Sequence, residues 1–286
     1  MELNFFCPRW GTEHIKLNEF FKQAKLQGYD GIEYAIPGDL PISMIDEIFN
    51  LAAKEDLLLI VQHYDTNETD YHKHGDIYNS WLWKMKDYKP LKINSQTGKD
   101  FFTFRENASL INAARKFSQD TGIKVYHETH RNKFSFAAHI TKEYLLNIPD
   151  LQITLDASHW VCVAESFLEN QQDAMQLAIE RTEHIHARVG YEEGPQVPDP
   201  RVPEWQHALN VHLSWWDKVA ERKRREGADA MLTITPEFGP FPYMVSMPFT
   251  QQPITNQWEV NAYMMQILRE RYCSGFQHHD IQGKKI

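Results

Sequence analysis

The chain has 286 residues, 42% of them hydrophobic, and carries 30 Lys and Arg against 39 Asp and Glu for a formal charge of −9. That is ample material for a large core, and the acidic balance argues against a protein that grips a nucleic-acid backbone. Three scattered cysteines without ligand-like spacing, no basic leader and no apolar run of about 18 residues lead to the expectation of a cytoplasmic protein with no disulfide framework and no membrane contact.

Short β-rich runs alternate with longer helical patterns. A first strand is predicted over 3–7, then a helix over 17–27, where apolar residues at Leu17, Phe20, Phe21, Ala24 and Leu26 keep a helical period and Gly28 ends it. Residues 30–35 read as a second strand and 42–54 as a helix opened by Pro41. The third strand, 57–63, is almost wholly apolar up to Val61, as parallel strands covered on both faces are. A helix over 71–88, a strand over 91–95 and an amphipathic helix over 105–120, closed by Gly122, follow. The pattern continues with strand 123–129, helix 137–146, strand 151–156, helix 173–180, strand 184–189, helix 204–226, strand 231–237 and helix 258–272. The run Arg222 to Arg225 reads as a solvated helix face.

Strict alternation of eight strands with eight helical segments predicts a parallel sheet with crossover helices, closed into a single (β/α)₈ barrel over 1–286 with long loops at 190–203 and 241–256. An open doubly wound sheet is the alternative, but no GxGxxG or P-loop pattern opens any helix.

Metal-capable residues collect at the C-terminal ends of the strands, the face where such barrels carry their active sites. The third strand ends in His63, the fifth in His127-Glu128-Thr129-His130, and the sixth in Asp156-Ala157-Ser158-His159. The seventh carries His184-Ile185-His186-Ala187-Arg188, and the eighth ends in Pro236-Glu237-Phe238. Singly, each has an ordinary explanation: Glu128 as a loop ion-pair partner, Asp156 as a cap, Glu237 as a turn residue. Jointly, such a group would bury charge without a cation. Three carboxylates and one histidine suit Mn²⁺, Mg²⁺, Co²⁺ or Zn²⁺.

These motifs resemble the xylose-isomerase-like barrel superfamily, and within it the sugar isomerase/epimerase branch typified by D-tagatose 3-epimerase. Four short signals between Tyr126 and Pro240 carry the likeness: His127-Glu128-Thr129-His130-Arg131-Asn132, Leu155-Asp156-Ala157-Ser158-His159, His184-Ile185-His186 and Glu237-Phe238. The resemblance implies one divalent metal ion on Glu128, Asp156, His186 and Glu237, with Glu128 and Glu237 removing and returning a proton through an enediolate of a sugar or polyol-like substrate. It also implies that His159 contacts a substrate oxygen. From their positions, Arg188, His63, Trp10 and Trp160 are further substrate-binding candidates. The segment Ala187-Arg188-Val189-Gly190 departs from the branch's acidic pattern, and Arg201 in the following loop is the candidate replacement for its substrate arginine.

Two other chemistries use a related site. A dehydratase or lyase acting on a sugar or inositol derivative needs the same ion and a glutamate base. An endonuclease IV-like repair enzyme needs extra ligands, for which His63 and His159 are candidates, and a basic groove that the charge does not favour. A barrel that only binds a ligand fits poorly with two glutamates on one ion. The expected partner is a small molecule, with no nucleic acid and no membrane, and a homo-oligomer is allowed.

Overall fold

The fold was taken from a computed structural model that describes residues 1–273; residues 274–286, the end of the expected domain, lie outside the described residues. Eight parallel strands close into a barrel in chain order: β1 (Glu2–Pro8), β2 (Gly31–Ala35), β3 (Leu58–His63), β4 (Lys92–Ser95), β5 (Val125–Glu128), β6 (Ile153–Leu155), β7 (Thr182–His186) and β8 (Met231–Thr235). Closure is made by β1 on β8, with Glu2 beside Met231 and Phe5 beside Ile234. The crossover helices are α1 (Leu17–Gln27), α2 (Ile42–Lys54), α3 (Tyr71–Lys84), α4 (Phe104–Thr121), α5 (Ala138–Asn147), α6 (Ala157–Ala164), α7 (Gln172–Arg181), α8 (Gln206–Arg225) and α9 (Gln257–Cys273).

Every strand expected from the sequence is present, though several are shorter. The helix expected over 71–88 stops at Lys84, with Met85 as its cap. One helix was not expected. α6 is eight residues long and its first five residues are all buried, so it shows no polar face to give it a period. Asp156 starts it, accepting a hydrogen bond from the Ser158 N–H at 3.0 Å. α4 opens with a capping box, Thr103 paired with Glu106, and ends at Gly122 with φ 79°.

The strand alternation sets two environments. Ile93, Ile185 and Ile234 point outward into the apolar layer beneath the helices, packed with Phe20, Phe21, Trp216, Met264 and Leu268 or with the Trp81 and Leu82 cluster. Their neighbours Lys92, Asn94, His184, His186, Thr233 and Thr235 are also buried, but face one another across the barrel. Lys92 Nζ reaches Thr233 Oγ1 at 3.0 Å across the floor of the barrel. The interior is a bonded polar core, and that is what places charge on the C-terminal face.

The basic run at the end of α8 is a solvated face only at Arg225, which is exposed. Lys223 is 4% exposed and pairs with Glu183 at 2.8 Å and Glu226 at 2.6 Å. Arg222 also pairs with Glu183, which ties α8 to β7. The three cysteines are free: Cys7 is buried, Cys162 half-buried and Cys273 exposed. Among the described residues no helix is long and apolar enough to cross a membrane.

Gly31 marks the tightest strand packing. A Cβ there would lie 2.4 Å from the Phe6 ring and 2.6 Å from the Leu58 carbonyl oxygen, and backbone cannot yield cheaply. Gly31→Ala is therefore expected to destabilise the barrel by about 1–3 kcal/mol. A thermal midpoint unchanged in calorimetry would contradict this packing.

Candidate metal centre

Glu128 is the last residue of β5, Asp156 follows β6, His186 ends β7, and Glu237 stands two residues beyond β8. One ligand-capable atom from each lies within 4.8 Å of the others, and all four residues are buried. The barrel thus brings together the four residues expected from the sequence.

Each carboxylate has its own support. Glu128 Oε2 accepts from Asn94 Nδ2 at 2.9 Å, Gln62 Nε2 at 3.2 Å and Gln96 Nε2 at 3.3 Å. Gln62 Nε2 also reaches Glu237 Oε1 at 3.4 Å. Asp156 Oδ1 takes the Ser158 N–H and hydroxyl, and Oδ2 pairs with Arg188 Nη2. Arg188 is 1% exposed and lies 3.6 Å from Glu237 Oε2.

The sequence reading missed Glu33. It sits on β2 inside the barrel, its Oε1 2.9 Å from His186 Nε2 and 3.0 Å from Asn94 Nδ2, its Oε2 3.1 Å from His184 Nε2. Thr235 donates to the same carboxylate. A glutamate within a strand covered on both faces must be paired, and that was the available signal. His184 and His186 share the inner face, and His184 completes its bonding with Thr233.

Glu33 decides which nitrogen of His186 is free. With Nε2–H donating to Glu33, the lone pair of the neutral ring falls on Nδ1. Nδ1 lies 2.9 Å from Glu237 Oε2 and 3.7 Å from Glu128 Oε1, yet makes no hydrogen bond of acceptable geometry. A buried nitrogen without a hydrogen bond, aimed among three carboxylates, fits a divalent ion: the donor set is oxygen-rich with one imidazole, and the charge to be neutralised is already assembled.

The titration behaviour reflects the crowding. Burial, with the neighbouring carboxylates Glu237, Asp156 and Glu33 and against the pull of His186, pushes Glu128 up to about 7. Burial raises Asp156 as well, partly offset by Arg188. Burial alone would lower His186, but Glu237, Glu33 and Glu128 together carry it well above the ordinary imidazole value. His159 goes the other way, held well below by burial and by His130, Arg188 and Arg131.

The substrate candidates divide. His159 lies at the mouth of the cluster, with Arg188 Nη2 2.8 Å from its Nε2 and Arg131 Nε 3.1 Å from its Nδ1. Trp10 roofs the site edge-on to Tyr243 at 5.2 Å, 5.9 Å from the Arg188 guanidinium. It packs so closely on Gly239 that a Cβ there would lie 2.1 Å from the Trp10 ring. His63 is occupied elsewhere. It bonds Thr66 at 2.7 Å and Ser95 at 3.5 Å between the Tyr78 and Trp81 rings, and burial lowers its pKa. Trp160 is core, 1% exposed and bonded to the Ser135 carbonyl. Arg201 is held by Asp199 within its own loop, and the arginine that reaches the site is Arg131 instead.

No protein-family model and no curated protein matches the chain. Solved structures do share its fold. The probable 3-DHS dehydratase AsbF from Bacillus anthracis is 17% identical, with 95% of this chain and 100% of that chain covered at a TM-score of 0.57. A family 2 AP endonuclease from Brucella melitensis is 13% identical over 92% of this chain and 98% of its own, at a TM-score of 0.54. A candidate sugar phosphate isomerase/epimerase from Anabaena variabilis is 11% identical over 96% and 99%, at a TM-score of 0.50. The likeness is one of fold. It shows the (β/α)₈ barrel, and the chemistries named among these neighbours differ.

In the metal-free protein at pH 7.5, His186 is expected to be doubly protonated while His159 and His130 are neutral even at pH 6. Long-range ¹H–¹⁵N spectra, assigned with His186→Gln, read this directly. A neutral His186 would contradict the electrostatics of the cluster.

Proposed function

We propose that this chain is a divalent-metal-dependent isomerase or epimerase acting on a sugar or related hydroxy-ketone by proton transfer. The observation that carries this reading is the buried group Glu128, Asp156, His186 and Glu237, with His186 Nδ1, 2.9 Å from Glu237 Oε2, at its centre. These four residues would hold the ion, and Glu33 would fix the ring of His186 toward it. When bound, a divalent ion supplies Lewis-acid polarisation of a carbonyl and its neighbouring hydroxyl.

Glu128 and Glu237 would move the proton. In the metal-free protein burial pushes Glu128 up to about 7, and with a divalent ion bound it would stand as the carboxylate that takes the proton. Carboxylate oxygens approaching the cluster from β5 and from beyond β8 suit removal on one side of a carbon and return on the other. His159, held neutral, would donate to or accept from a substrate oxygen. Arg188 would steady negative charge developing on that oxygen while balancing Asp156. Trp10 and Tyr243, closing over the arginine, would keep water from the enediolate.

Three measurements test this. Protein purified without chelator is expected to hold about one divalent ion per chain, with Glu237→Gln weakening it and Glu33→Gln lowering affinity by ~10–100-fold. No ion after reconstitution with Mn²⁺, Co²⁺ or Zn²⁺ would remove the proposal.

The second is pH dependence. The ion must displace protons from His186 and Glu128, so binding tightens as pH rises through about 7 and weakens below it. Both groups have raised folded-state pKa values, so in the metal-free protein their contribution to stability is present at low pH and lost as pH rises. The gap in melting temperature between Mn²⁺-loaded and chelated protein should therefore widen from pH 6 to pH 8; a constant gap would contradict this coupling.

The third is chemistry. With ketoses and inositol-like compounds in D₂O, solvent deuterium should enter a substrate C–H position, and Glu128→Gln or Glu237→Gln should slow this by ~10²–10⁴-fold. Net loss of water instead would reassign the protein as a dehydratase.

A further inference from the structure

The rim of this site holds more positive charge than its own carboxylates use. Arg131, in the loop after β5, spends its donors on His159 Nδ1 at 3.1 Å, Tyr243 Oη at 3.4 Å and Cys162 Sγ at 3.8 Å. Lys133, two residues on, is 3% exposed, and its Nζ meets only the Tyr64 carbonyl at 3.4 Å. Lys99, in the loop after β4, is 4% exposed and bonds the Asn67 side chain at 3.0 Å. Among the described residues none of the three forms an ion pair, whereas Arg188 has Asp156.

These cations act on one space. His130, whose ring lies 4.0 Å from that of His159, opens a turn closed by the Lys133 N–H on its carbonyl at 3.2 Å, so Arg131 and Lys133 leave one turn beside the site. Lys133 is held down to about 8 by burial and by Lys99, and it feels Glu128, Asp65 and Asp100 without pairing to any of them. A chain with a net charge of −9 has no general excess of cations to hide, so two buried lysines and a half-buried arginine without ion pairs at a single rim call for a ligand.

His159 supplies a second, independent sign. A neutral imidazole has one lone pair and one N–H. Arginine N–H groups face both its nitrogens, Arg131 at Nδ1 and Arg188 at Nε2. A neutral ring accepts from only one of them: Arg188 Nη2 has Asp156 Oδ2 in either case, and where Nε2 carries the lone pair Arg131 Nε meets an N–H and lacks an acceptor. An anionic oxygen seated beside the ring would take that donor.

We infer that the substrate carries an anionic group, a carboxylate or a phosphate, and that Arg131 beside His159 receives it in the field of Lys133 and Lys99. This rests on the proposed small-molecule chemistry of the site and narrows it from neutral sugars to sugar acids, keto acids or phosphorylated sugars. With a divalent ion bound, the metal would face the hydroxy-ketone end of such a molecule and the cationic rim its charged end.

The test is binding, independent of turnover. Glycolate and inorganic phosphate are titrated calorimetrically into chelator-treated protein and into Mn²⁺-loaded protein, with glycolaldehyde as the neutral control. Wild type should bind one of the two anions without metal and should not bind glycolaldehyde. Preference for glycolate assigns a carboxylate, and preference for phosphate a phosphorylated substrate. Arg131→Gln should lose at least tenfold in affinity, Arg131→Lys should recover part of it, and both should keep the wild-type metal content and circular dichroism. Neither anion binding the metal-free protein, or equal binding by wild type and Arg131→Gln, would overturn the inference. Metal retained with no anion binding removes this inference alone. Anion binding in a protein that takes up no metal removes the metal reading and leaves the anion site standing.

Discussion

Four carboxylates buried in one barrel mouth must be neutralised, and most of what surrounds them answers to that demand. Glu33, Glu128, Asp156 and Glu237 are each at most 4% exposed. Left as bare anions in a low-dielectric interior they would cost several kcal/mol apiece. The chain meets this with Arg188, with a proton on His186 and with side-chain amides from Gln62, Asn94 and Gln96. A protonated His186 and a divalent ion are alternative solutions to the same charge problem, which is why proton release and ion uptake are coupled here.

The polar core of the barrel follows from the same constraint. His186 can serve an ion only if its ring is turned the right way, and Glu33 on β2 turns it from the opposite side of the barrel. Glu33 is held in turn by His184, Asn94 and Thr235. Alternate residues of β2, β4, β7 and β8 therefore form a polar scaffold directly beneath the site, while their outward neighbours supply the apolar packing. Above the site, Gln196 bonds the Gly239 backbone in both directions, joining the loop after β7 to the loop after β8. Tyr243 on that second loop stacks against Arg188 at 4.7 Å. The rest of that segment exposes Phe241, Met247 and Phe249.

Local periodicity made the barrel legible. Strand and helix patterns alternate cleanly, chemistry-bearing residues stand at strand ends, and the resemblance singles out Glu128, Asp156, His186 and Glu237 among them, four residues that the barrel brings together. What escaped had no local signal. α6 is too short and too buried to show a polar face, and Asp156 caps it while facing the cluster. Glu33 is one acid in an otherwise apolar strand, and its partners lie on β4, β7 and β8. His63 looked available because it ends the third strand and Trp160 because it stands beside His159, yet hydrogen bonds to Thr66 and to the Ser135 carbonyl turn them into packing. Arg201 stands in the loop where the resemblance seeks a substrate arginine, but Asp199, two residues away, claims it first. Pairing across the barrel, rather than spacing along the chain, separates the side chains of the cluster from those committed to packing.

The central claim is that one cation completes the cluster, and anomalous scattering from crystals grown with Mn²⁺ tests it most directly. The expected result is a single peak per chain, about 2.0–2.4 Å from His186 Nδ1 and from carboxylate oxygens of Glu128, Asp156 and Glu237, with Glu33 still bonded to His186 Nε2. A map with no peak there, and His186 Nδ1 still facing Glu237 directly, would contradict it.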